Sequence, residues 1–97
     1  MKIKVLDAAL SDLANGRSFY HQQGKHLGDY FLDSLFSDID SLTLFAGIHQ
    51  KYFGYFRMLA HRFPYAIYYQ MPESDLVVVW RVLDMRANPK KTKNKLE

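Results

Sequence analysis

"HRFPYAIYYQMPESDLVVVWRVL", residues 61–83, sets two runs of aromatic, aliphatic and β-branched side chains on either side of Pro72-Glu73-Ser74-Asp75. Runs of this kind form strands, and the proline followed by polar and acidic residues supplies the turn that folds one onto the other. Side chains alternate across a strand, so Tyr65, Ile67 and Tyr69 share one face while Ala66 and Tyr68 share the other. The second run, "DLVVVWRVLDM" in full, is near-continuously apolar, which predicts a central strand covered on much of both faces. Pro64 has no N–H to donate and belongs at the start of its strand or on an edge.

Outward from this hairpin, "YFRMLAH" (55–61) reads as a further strand, and "KIKVL" (2–6) as a first one. Between them the period becomes helical. Leu6, Leu10, Leu13 and Tyr20 recur at near-helical spacing, Asp7 offers an N-cap oxygen, and Gly24 suits a left-handed helix end. Gly16 inside this helix costs about 1 kcal/mol relative to alanine. A second helix is predicted from Leu27 to Ala46 on the stripe Leu27, Phe31, Leu35, Ile39 and Leu42, with Asp29, Asp33, Asp38 and Asp40 toward solvent. Gly47 stops it, and "GIHQKYFG" connects to the strands. The order is β-α-α-β-β-β, an α+β domain with a helical hairpin packed on an antiparallel sheet. Residues 1–89 make one domain, and residues 90–97 a basic, flexible tail.

The net charge of +3 lies in that tail, since residues 1–89 carry nine Lys or Arg against nine Asp or Glu. Within the domain, acids predominate from Asp7 to Ala46 and bases from Gly47 to Pro89, so the second half is the side expected to meet anions. Leu96-Glu97 is a pair that expression vectors also leave behind, and nothing is read from it. There is no cysteine, no signal-like apolar run and no membrane-length segment, which fits a cytoplasmic domain. Glycine-rich phosphate loops, Gly-x-Ser-x-Gly and zinc-finger spacings are missing, and His21 and His26 do not share a helix face. No cofactor or metal is expected.

The chain resembles the RelE/ParE superfamily of toxins from bacterial type II toxin–antitoxin pairs. The likeness lies in "HRFPYAIYY" followed by a turn and "LVVVWRVL", in the closing "LDMRANP", and in "GRSFYHQQGKHLGDYFLDSL" of the helical hairpin. It spans residues 2–89. Members of this superfamily either cut mRNA on the ribosome or bind and poison DNA gyrase. The resemblance also implies a cognate antitoxin whose C-terminal segment wraps the toxin.

Cleavage by attack of a 2′-hydroxyl needs a base, cations around the phosphate and an acid for the leaving oxygen. The similar nucleases carry an arginine where this chain has Ala66, and many end in a tyrosine or a histidine–tyrosine pair that is missing here. The usual closing histidine is Asp84, and a second arginine is Ala87. If the chain is a nuclease, His61, Arg62 and Arg86 are the catalytic candidates. The departures favour a ParE-like gyrase inhibitor, with a RelE-like nuclease or an attenuated toxin that only binds antitoxin as alternatives. Contact with target or antitoxin is expected from Arg57, His61, Arg62, Tyr65, Arg81 and Arg86. The same arginines and the tail lysines, beside Tyr65 and Tyr68, could also form a strip for direct nucleic-acid binding.

Overall fold

A computed structural model describes all 97 residues. The quoted stretch forms β4 (Tyr65–Glu73) and β5 (Leu76–Asp84), an antiparallel pair turning at Ser74-Asp75. β3 (Tyr55–Leu59) pairs antiparallel with β4, and a two-residue β2 (Lys51–Tyr52) pairs with β3. β1 (Lys2–Val5) runs parallel to β5, so the sheet order is β1-β5-β4-β3-β2.

β5 is an inner strand between β1 and β4, as its apolar composition suggests, and the middle strand of the five is β4, whose residues 65–69 are all buried. β1 accompanies β5 only from Leu76 to Val79. Beyond that point the Asp12 carboxylate stands in for the missing strand, accepting the Val82 N–H at 3.0 Å. A register shift opposite Tyr68 and Tyr69 leaves Trp80 as an extra residue in β5. The bulge resets the alternation, so that Val77, Val79 and Val82 all reach the core.

α1 (Asp7–Gln23) and α2 (Leu27–Asp40), followed by the single turn α3 (Leu42–Phe45), form the expected hairpin over one face of the sheet. Several details differ from the sequence reading. Asp7 is the first helical residue and not its cap, and Gly24 is extended and not left-handed. The buried stripe of α1 is Ala9, Leu13, Gly16 and Tyr20, while Leu10 is exposed. Gly16 is where the two helices touch: a Cβ there would sit 2.5 Å from Phe31 Cζ. Gly28 is equally close-packed, at 2.9 Å from the Arg17 carbonyl oxygen. Asp38, expected in solvent, is buried.

Tyr65, Ile67 and Tyr69, which alternation sets on one face, pack with Phe31, Leu35 and Ile39 beneath the helices. Ala66 and Tyr68 lie on the opposite face with Leu83. That face is partly covered by α4 (Pro89–Leu96), formed where a loose tail was expected. Asn88 caps it by accepting the Lys90 N–H at 2.9 Å, and Pro89 occupies its first position. Leu96 is buried against the sheet, and the Tyr55 hydroxyl donates to its carbonyl at 2.8 Å. Capping and one apolar anchor thus order a segment that a charge count reads as solvated.

Candidate interaction site

The six residues singled out from the sequence separate into distinct environments. Arg57 projects from β3 on the face away from the helical hairpin, with its guanidinium 3.6 Å from the centre of the Tyr52 ring. The ion pairs of the molecule involve Arg17, His61, Arg81, Arg86 and Lys93, so Arg57 and the exposed Arg62 have no carboxylate partner.

His61 lies in the β3–β4 turn, fixed from below by Asp38. Its backbone N–H donates to Asp38 Oδ2 at 3.0 Å, and its Nδ1 lies 2.6 Å from Oδ1. Most of the imidazole is exposed while the carboxylate is buried, so Asp38 ties α2 to the turn and sets the ring's orientation.

Tyr65 faces the core, against Tyr20 and Phe31. Burial, with a smaller contribution from Asp84, pushes its phenol up to about 12, so it stays protonated. Arg81 grips Asp12 through Nε and Nη2, both at 2.7 Å, a bidentate pair that raises its pKa. Arg86 holds Asp84 through Nη2 at 2.7 Å and Nε at 3.0 Å, which keeps the Asp84 carboxyl below the usual range. Two of the expected arginines are thus neutralised within the fold, and Tyr65 lines a cleft together with Asp12 and Asp84.

Arg57 and His61 do come together. Both border a groove of about 430 Å³ whose walls include Phe45, Ile48, Met58 and Leu59. A second hollow of about 150 Å³, between the β2–β3 hairpin and α4, contains Tyr52, Phe53, Tyr68, Leu83 and Met85, and Arg57 again. Arg57 is the one residue common to both.

Tyr52 and Phe53 carry no strand or turn signal in the sequence. The hairpin that presents them turns on Phe53 and Gly54, both with positive φ (56° and 85°). A two-residue turn of this kind ordinarily shows Asn-Gly or Asp-Gly, so phenylalanine hides the signal. His49 lies in the connection between α3 and β2. Its Nδ1 lies 2.6 Å from the hydroxyl of the buried Tyr69, which anchors the wall of the larger groove.

Compared with families of known proteins, residues 3–89 match the ParE toxin of type II toxin-antitoxin system, parDE. The chain belongs to the ParE toxin family. Among solved structures it is similar to one titled "Chromosomal ParDE TA system from P. aeruginosa", with a TM-score of 0.75 and 16% identity, over 84% of this chain and 92% of that one. At that identity the likeness carries the fold, and the α+β arrangement of helical hairpin on sheet is shared. No curated protein matches the chain. The ParE match closes at Pro89, so almost all of α4 lies beyond it.

Proposed function

We propose that this ParE-family toxin acts by binding DNA gyrase, without cutting RNA, and that a cognate antitoxin restrains it by covering the Arg57 side of the sheet. The reading is supported above all by how the cations are used. Gathering a scissile phosphate takes several unpaired donors converging on one point. Here Arg81 and Arg86 are committed to Asp12 and Asp84, position 66 is a buried alanine, and Tyr65 is in the core. What stays available is a surface of exposed apolar side chains with Arg57, His61 and Arg62 along it, which suits docking.

One observation favours the nuclease as the second reading: Asp38 orients the imidazole of His61, as a carboxylate orients a general base. His61 has no second acid or base in contact with it to protonate a leaving oxygen.

The test is a supercoiling assay with purified gyrase. Added protein is expected to suppress supercoiling or accumulate cleaved DNA, and the product of an adjacent small reading frame is expected to relieve it. Unimpaired gyrase at a large molar excess of toxin would remove this reading.

A further inference from the structure

Two features on the surface exceed what the fold requires. The first is Phe53. Its φ of 56° is costly for a bulky L-residue, on the order of 1–2 kcal/mol, and glycine or asparagine would relieve it. Yet the residue is 49% exposed and belongs to no core cluster, lining instead the hollow that it shares with Tyr52 and Arg57. Strained residues at element tips concentrate where a ligand is met. The second is Arg57. Its guanidinium lies 3.6 Å from the centre of the Tyr52 ring and is restrained there, and it makes no ion pair, the Asp84 carboxylate that shares the hollow being held by Arg86. A restrained, partly desolvated guanidinium is a strong receptor for a carboxylate, because little rotamer freedom is lost on pairing.

The surroundings of Arg57 define the rest of the ligand. On one side lies the aromatic hollow of Tyr52, Phe53 and Tyr68. On the other, the larger groove is walled by Phe45, Ile48 and Leu59, which are 51%, 74% and 53% exposed. β2 flanks only the first part of β3, pairing at Tyr55 and Phe56, so the backbone edge beside Leu59 is open at this groove.

We infer that Arg57 is the central anchor of a peptide-docking surface, and that its occupant is a partner-protein segment carrying one Asp or Glu between two apolar stretches. The acid pairs with Arg57, one apolar stretch covers Phe53 and Tyr68, and the other fills the groove at Phe45, Ile48 and Leu59. The inference deepens the reading of an antitoxin-restrained toxin and rests on it for the identity of the partner. A nucleic-acid strand is the lesser match, since the larger groove presents the apolar Phe45, Ile48 and Leu59 with Arg57 as its one arginine and no lysine.

A random 12-residue peptide library displayed on phage, selected on the full chain, tests this without knowing the partner. Wild-type selections are expected to enrich peptides with one Asp or Glu flanked on both sides by Leu, Ile, Val or Phe. Synthetic copies should lose roughly tenfold or more in affinity on Arg57→Gln, and more on Arg57→Glu, with a Lys-for-Glu peptide partly rescuing the latter. Phe53→Asn separates a docking role from a structural one: it should raise Tm by about 4 °C by relieving the turn, while weakening the same peptides. The inference is overturned by an absence of enriched peptides, by the same consensus on wild type and Arg57→Glu, or by Arg57-dependent binding of a fluorescent dT12 oligonucleotide that collapses with salt. Each outcome is read without gyrase, so failure here and failure of the gyrase reading are distinguishable.

Discussion

The phenol of Tyr69 is wholly buried, accepts the Gly47 N–H at 2.9 Å and lies 2.6 Å from His49 Nδ1. With its oxygen engaged by Gly47, the hydroxyl proton is left to donate to Nδ1, which requires a neutral imidazole. Burial also lowers the His49 pKa from 6.5. A folded-state pKa below the unfolded one means that the unfolded chain takes up the proton first as pH falls. Stability from this group is therefore steady above 6.5 and declines as pH drops from there toward the folded pKa. Thermal unfolding between pH 8 and 5 should show that decline, and His49→Gln should flatten it; an unchanged profile in the variant would discount the account. Tyr69→Phe should cost about 1–2 kcal/mol at neutral pH by leaving the Gly47 N–H unpaired. Residues of this kind were only half visible in the sequence. Alternation put Tyr69 on one face with Tyr65 and Ile67 without saying which face is the core, and nothing local links it to His49, twenty positions away. Asp38 was misplaced for the same reason: periodicity sends a helical aspartate to solvent, and only the folded turn brings the His61 N–H to it.

Elements were legible where a period runs long enough to be heard. The β4–β5 hairpin, β1 and the helical hairpin all follow from spacing, whereas two-residue β2 and its Phe53-Gly54 turn do not. β5 is inner, as its composition suggests, but beyond Val79 the edge away from β4 is met by Asp12 of α1 and not by a strand, which composition does not record. Gly16 gives the sharpest element-level prediction. Helix propensity alone says that Gly16→Ala stabilises by about 1 kcal/mol. The Phe31 ring 2.5 Å from the added Cβ reverses the sign, and a net loss of about 1–2 kcal/mol is expected in denaturant unfolding. A gain in stability would mean that the helices are not packed through this glycine. α4 makes the opposite case to its sequence appearance. Leu96→Ala should lower stability by roughly 2 kcal/mol and expose the Tyr55 edge to faster amide exchange. A solvated tail would show neither effect.

At the scale of the molecule, charge is the property that composition described least well. The second half of the domain holds the arginines, but Arg81 reaches back to Asp12 in the first half and Arg86 turns onto its own neighbour Asp84. The basic rim expected from the sequence is reduced to Arg57 and Arg62, with His61 beside them, and the lysines of α4 stand apart on their own helix. Folding has separated the cations, and on that ground we propose that this surface holds a partner and does not break a phosphodiester bond. Mapping the 5′ ends of mRNA in a translating extract supplied with the pure toxin tests that claim most directly. The account predicts no new ends at any toxin concentration that inhibits gyrase. Codon-spaced ends that appear with the wild type and vanish with His61→Ala would contradict it.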